Sequence, residues 1–207
     1  MIVYVVRHGE AEGNREGRFL GQVDPPLTET GREQARRQGA ALKGTGLARI
    51  LSSDLARAYA TASIIAETLG LTVRSTPALR EVSHGVIDGW LSSDIQNSEY
   101  GPARDKDKYN YRPPGGESYT DIEPRIMSVL TPPPEQPMLL VTHLGPMRVM
   151  LHRFCGCSQD EAVSARIGHD AILVLSCTGA GWSGRFLRST APDRETPLSG
   201  TATHQTP

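Results

Sequence analysis

The feature that most constrains the fold is the opening run Met1–Val6, which is uncharged and apolar apart from the Tyr4 hydroxyl and stops abruptly at Arg7-His8-Gly9. A strand with one face in water alternates polar and apolar residues. A run without that alternation belongs to a strand covered on both faces, the usual situation inside a parallel sheet. Met138–Thr142 repeats the pattern, and Arg49–Ser52 and part of Leu71–Arg80 read as shorter strands. Between them lie helical patterns. Thr28 can cap a helix running to about Lys43, with Ala35, Gly39 and Leu42 at spacings of three to four. Leu55–Leu69 carries the inward stripe Leu55, Ala58, Ala62, Ile65 and Leu69 and ends at Gly70. Glu117–Leu130 is helical despite Pro124 and is broken by Thr131-Pro132-Pro133-Pro134. A further helix follows Thr142 to about Arg153, and Ala171–Ser176 and Trp182–Leu187 form a hairpin across a glycine-rich turn.

Strands alternating with helices predict a three-layer α/β/α sandwich around a mostly parallel sheet with one antiparallel edge strand. Residues 1–189 form one domain in this reading. Residues 190–207, rich in Thr and Pro with little to bury, are expected to be a disordered tail. The segment 84–116 is long, polar and rich in Gly and Pro, and reads as a lid or flexible connection.

In such sheets ligands gather beyond the carboxyl ends of the strands. His8 follows the first strand and His143 follows Met138–Thr142, each with a glycine within two residues. Arg7 precedes His8, and Arg57 lies one turn into the helix after the second strand. Guanidiniums beside imidazoles oppose a bound cation and favour an oxyanion, to which Arg presents a planar fork of donors. Helix starts after Ser53 and near His143 are expected to add N–H groups to the same anion. No metal and no cofactor are expected. The chemistry these residues suit is phosphoryl transfer to an imidazole: neutral His8 as nucleophile, provided its other ring nitrogen donates to a carbonyl, with Arg7, Arg57 and His143 around the phosphoryl oxygens. One carboxyl can serve as acid and then as base, and Glu81 has the best position along the chain.

The residues around these positions resemble the histidine phosphatase superfamily, the phosphoglycerate mutase-like clan. The resemblance rests on Arg7-His8-Gly9-Glu10 with Asn14 downstream, and on Gly21–Gly31 with Asp24, Leu27 and Thr28. It continues through Ser52–Ala58 with Arg57, Thr61 and Ala62, then Leu79-Arg80-Glu81 with Gly85 and Gly89, then Pro114–Ser118 and Val141-Thr142-His143. It spans about Met1 to Leu187 and implies a phosphoglycerate mutase-like fold. It further implies a phosphorylated His8, Glu81 as proton donor, and phosphoryl binding by Arg7, Arg57 and His143 with Asn14 nearby, without a metal. Two departures bear on substrate: Leu144-Gly145 where the family often has Gly-Gly, and His84 where many small phosphatases carry an aromatic residue. Leu144 retains a backbone N–H for the phosphate while its side chain lines the mouth.

The expected activity is phosphomonoester hydrolysis through a phosphohistidine. A phosphoglycerate mutase-type transfer and a catalytically inactive interaction protein of the same fold are the alternatives. Arg104, Lys106, Lys108 and Arg112 could clamp a second anion, but their alternation with Asp105 and Asp107 reads as a solvated surface run. Tyr100, Tyr109 and Tyr111 either stack on an organic group or pack the lid. His152 reads as helix surface, His169-Asp170 as an ordinary loop in preference to a pair supporting the site, and Cys155-Gly156-Cys157 as unreactive thiols. A small phosphorylated metabolite is the expected partner, with a phosphoprotein as the second choice. A formal charge of -1 over 207 residues gives no field for nucleic acid. No run approaches the roughly 20 apolar residues of a membrane span. Three cysteines and an N-terminus that reads as a strand suggest a reducing, cytoplasmic setting. The residues do not indicate an oligomeric state.

Overall fold

Side chains alternate between two cores along the first strand of the computed structural model, which describes residues 1–189 and 196–197. Strand β1 (Ile2–Arg7) sends Val3 and Val5 into one hydrophobic cluster and Tyr4 and Val6 into another. The chain continues through α1 (Glu29–Ala41), β2 (Arg49–Ser53), α2 (Ala56–Leu69) and β3 (Val73–Thr76). After two short helices, α3 (Ser92–Gln96) and α4 (Gly101–Lys106), come α5 (Tyr119–Leu130), β4 (Met138–Thr142), α6 (Leu144–Cys155) and α7 (Gln159–Ser164). The hairpin β5 (Ala171–Thr178) and β6 (Gly181–Arg188) follows, and Thr196–Pro197 adds a short β7.

The sheet order is β3-β2-β4-β1-β5-β6-β7. Pairing is parallel from β3 to β1 and antiparallel from β1 through β5 and β6 to β7. The three-layer architecture is the expected one, and its antiparallel portion comprises the hairpin and β7 rather than a single edge strand. The expected tail lies outside the described residues except for Thr196–Pro197, which pair with Phe186 and Arg185.

Helix α2 covers one face, burying Ala58, Ala62 and Ile65 against Tyr4, Val6, Leu139 and Val141. Emptying the Ile65 site with alanine is expected to cost about 3 kcal/mol, the range for truncating a fully buried aliphatic side chain. Helices α5 and α6 cover the other face with Ile122, Ile126, Met147 and Met150. Helix α1 is capped at its end by Leu42, which packs into the same cluster as α2, so the helices that follow β1 and β4 lie on opposite faces although the two strands are neighbours. Their connections diverge and leave a crevice at the carboxyl ends, where such sheets bind ligands.

Local signals explain the element ends. Thr28 accepts the Gly31 N–H at the start of α1, and Gly70 closes α2 in the left-handed conformation. Ser118 and Asp121 form a reciprocal capping box that starts α5, which continues through Pro124. The segment 84–116, expected as a lid or flexible connection with room for an unplaced helix, contains α3, α4 and a 3-10 turn at Gly85–Ile87. Among the described residues no helix is long and apolar enough to cross a membrane.

Candidate active site

The crevice holds a pocket of about 500 Å³, counting its open mouth, lined by Arg7, His8, Asn14, Arg57, Glu81 and Leu144 among others. His8 is only 2% exposed and sits just beyond β1, where its backbone N–H donates to the Thr142 carbonyl of β4. Gly9 follows because a Cβ there would lie 2.2 Å from the Gly31 carbonyl oxygen, a contact no side chain could make. The His8 Nδ1 is 2.7 Å from the Gly9 carbonyl. A carbonyl can only accept, so Nδ1 carries the hydrogen and Nε2 is the bare nitrogen. Burial, then His143, Arg7, Arg57 and His169, hold the His8 imidazole well below its ordinary range, and it stays neutral.

His143 is fully buried behind this ring, with the centroids 5.0 Å apart, and its Nε2 lies 2.9 Å from Ser53 Oγ at the end of β2. Its pKa is likewise held well below the usual range, chiefly by burial and then by Arg57 and Arg7. Arg57 is 1% exposed and pinned: Nη1 donates to Val23 O at 2.8 Å and pairs with Asp24 at 3.0 Å, while Nη2 donates to Gly21 O at 2.8 Å. Arg7 donates weakly to Ile167 O at 3.3 Å, and burial pulls its pKa down to about 10. The buried Nε atoms of Arg7 and Arg57 and the Nδ1 of His143 have no partner within the protein.

Glu81 reaches the same pocket. Its Oε1 accepts the N–H groups of Val82 and Gly145, both at 2.9 Å. With Oε1 engaged as a double acceptor, the proton of a neutral carboxyl belongs on Oε2. Asn14 also lines the pocket, while its Oδ1 accepts the Ala11 N–H at 2.9 Å and ties the turn together.

The family model described as histidine phosphatase superfamily (branch 1) matches residues 3–190. The chain belongs to this superfamily. It is 37% identical over 147 residues to the probable phosphoglycerate mutase GpmB of Salmonella paratyphi B, covering 68% of each chain. A mycobacterial glucosyl-3-phosphoglycerate phosphatase superposes with a TM-score of 0.77 at 27% identity, over 89% of this chain and 96% of that one. Bacillus stearothermophilus YhfR gives the same TM-score and identity over 87% and 93%.

In this histidine phosphatase the helix starts differ from what the sequence suggests. Asp24 accepts the Ala56 and Arg57 N–H groups at the start of α2, and Glu81 takes that of Gly145 in α6. Those donors are committed to holding the site's own residues. Three further residues belong to the site: His169, for which a loop is the favoured expectation over a supporting role, and Arg148 and Arg18, for which the sequence indicates no role. His169 donates from Nδ1 to the His8 carbonyl at 2.6 Å, and its ring lies 5.6 Å from that of His8. It is thus no ordinary loop residue; burial, followed by the charge of Arg7, pushes its pKa down to about 4. Arg148 lines the pocket one turn after Leu144, on the same face of α6, and with Arg18 brings the guanidiniums around it to four beside Arg7 and Arg57. The i,i+4 spacing of Leu144 and Arg148 was a usable signal.

Tyr109 is core, donating to Glu123 at 2.7 Å, and Tyr100 packs near Trp90. His152 is half-buried against Tyr109, not solvated surface. Burial pushes the Cys155 thiol up to about 12 and raises that of Cys157 as well. Among the described residues no group of three or more His, Cys, Asp or Glu side chains is arranged to hold a metal ion.

Proposed function

We propose that the chain is a phosphomonoester hydrolase that works without a metal through a phosphohistidine on His8. The observation that carries this reading is the pairing of a bare Nε2 on a neutral, buried His8 with unpartnered buried N–H donors on Arg7 and Arg57 and an unpartnered ring nitrogen on His143, which is a donor when the Ser53 hydroxyl donates to its Nε2. Burying a polar group without a partner costs about 1–3 kcal/mol, so three such nitrogens together mark a place built for an oxyanion. The phosphoryl oxygens take those donors, with Asn14 and the Leu144 turn at the rim.

In the first step the His8 Nε2 forms a bond to phosphorus as the bond to the ester oxygen breaks. The proton on Glu81 Oε2 passes to that oxygen, which leaves as an alcohol. In the second step water attacks phosphorus, its proton goes to the Glu81 carboxylate, and the N–P bond breaks to release phosphate. The open mouth of the pocket favours water as acceptor, and so hydrolysis over a mutase reaction that must retain its intermediate. A deeply recessed His8 suits a small phosphorylated metabolite better than a phosphoprotein.

The test is a metal-free panel of sugar phosphates, three-carbon acid phosphates, nucleotides and phosphopeptides, assayed for free phosphate beside His8→Ala. Hydrolysis in chelator that disappears in His8→Ala supports the reading. Faster transfer of phosphate between substrate positions than its release would establish a mutase instead, and inactivity on every member would leave an interaction protein.

A further inference from the structure

The turn that carries Glu81 is held by side chains. Arg125, from the middle of α5, stands behind it and donates to three of its carbonyls: Nη1 to Ala78 O at 2.8 Å and to Arg80 O at 2.7 Å, and Nη2 to Glu81 O at 3.1 Å. The Thr142 hydroxyl donates to Leu79 O at 2.8 Å, and Gln22 Nε2 adds a second donor to Glu81 O at 2.8 Å. Every carbonyl from Ala78 to Glu81 is thus met by a side-chain donor. The guanidinium is itself oriented by Glu117, whose Oε2 lies 3.4 Å from Nη2 and also accepts the Ser83 N–H at 2.9 Å. These ties register the turn against the rest of the site. Thr142 precedes His143, and Gln22 follows Gly21, whose carbonyl accepts Arg57 Nη2 at 2.8 Å. The Glu81 carboxyl is caught from the other side by the N–H groups of Val82 and Gly145. Arg125 is 22% exposed and lies outside the pocket lining, so it reaches the chemistry only through the turn.

We infer that Arg125 is a positioning residue for the general acid: by gripping three carbonyls of the turn it sets where the Glu81 carboxyl meets the leaving oxygen, and Glu117 orients that grip. The inference rests on the hydrolase reading above and adds what aims its acid. A planar guanidinium can donate to several carbonyls at once, whereas an ammonium is a single point charge on a flexible stem and cannot reproduce the fork. A reacting group displaced by about 1 Å can lose about 10²-fold in rate, so a slack turn is felt in catalysis before the cores notice it.

The experiment measures kcat/KM of the full chain on 2,4-dinitrophenyl, phenyl and benzyl phosphate, three esters of similar shape whose leaving oxygens are increasingly basic. This ratio reports the steps through departure of the leaving group, and the need for a placed acid rises along the series. In Arg125→Lys the loss on benzyl phosphate is expected to exceed that on 2,4-dinitrophenyl phosphate by about tenfold or more. A general loosening of the fold would lower all three alike. In the Glu81→Gln background, which has no proton to place, adding Arg125→Lys should cost nothing further on benzyl phosphate. Glu117→Gln keeps an acceptor for the Ser83 N–H, removes the charge that orients Arg125, and alters a side chain that is already 36% exposed. It should show the same trend at several-fold, and it decides the matter if Arg125→Lys does not fold. Equal losses across the three esters, or losses that add to that of Glu81→Gln, would each overturn the positioning role. Those results with a native chain that hydrolyses the series, and a His8→Ala variant that does not, would remove the inference alone. A native chain inactive on all three esters would take the hydrolase reading down with it.

Discussion

Glu81 Oε1 accepts the backbone N–H of Gly145 at 2.9 Å, and a Cβ on residue 145 would stand 2.3 Å from that oxygen. The carboxyl that follows the third strand is thus locked to the first turn of the helix after His143. Gly145→Ala is expected to push Glu81 aside while leaving the two hydrophobic cores intact. Loss of a positioned acid–base group costs about 10²–10⁴-fold in rate. Steady-state kinetics should show kcat falling by about that factor, with the double variant Gly145→Ala/Glu81→Gln no worse than Glu81→Gln alone. Additive losses would mean that the glycine serves some other purpose.

His169 supports the nucleophile from behind. Its Nδ1–H donates to His8 O, and Gln38 Nε2 ties the His169 carbonyl at 2.8 Å and the Arg7 carbonyl at 3.3 Å. His169→Ala is expected to lower kcat about fivefold, since one hydrogen bond contributes about 1 kcal/mol. His169→Asn retains a donor and should recover most of that loss, whereas His169→Asp, an acceptor when ionised, should not. Equal kinetics for the three variants would remove the positioning role.

Asp24 couples stability to the site through Arg57. It caps α2 and pairs with a guanidinium that is almost wholly buried. Asp24→Ala is expected to destabilise the fold by about 2 kcal/mol, combining a lost cap with a partly uncompensated charge. The carbonyls of Gly21 and Val23 still hold the guanidinium and limit the damage. Chemical denaturation measures the effect, and an unchanged midpoint would contradict it.

Acid should destabilise the protein through its histidines. His8, His84, His143 and His169 all have pKa values lowered in the fold, with burial as the largest cause for each. Below about pH 6.5 the unfolded chain binds protons that the folded chain refuses, so stability is complete above that pH and falls as pH drops. Each such histidine contributes about 1.4 kcal/mol per pH unit until its folded pKa is reached, which for His169 is about 4. Denaturation midpoints between pH 7 and 5 should fall steeply, and less steeply in His169→Asn. A flat profile would contradict the neutral assignment.

The two-sided strands, the helix stripes and the glycine at residue 70 made the architecture legible, because periodicity records which faces are buried. The convergence of Arg7, His8, Arg57 and His143 followed from strand ends and from motifs in a fixed order. What escaped was tertiary. His169 reaches His8 because β5 runs antiparallel beside β1, with Ile172 opposite Val6. That pairing brings the residues before β5 next to those after β1, a juxtaposition absent from either segment alone. The role of Asp24 escaped for the same reason: a loop side chain caps a helix that begins 32 residues later. Arg104 and Lys108 line a cavity beside the active site because of how the segment 84–116 folds, and alternating charge carries no hydrophobic period from which to read their orientation.

Mapping the phosphoryl adduct in Glu81→Gln decides whether His8 is the nucleophile. Glutamine preserves the acceptor for Val82 and Gly145 but can neither donate a proton nor activate water. An aryl phosphate needs little proton donation to leave, so the first step should proceed and the second stall. Peptide mass mapping at neutral or alkaline pH should find an acid-labile phosphoryl group on the peptide carrying His8, absent from the His8→Ala/Glu81→Gln double variant. Turnover by the native chain with no adduct in Glu81→Gln, or an adduct on His143 instead, would contradict the account.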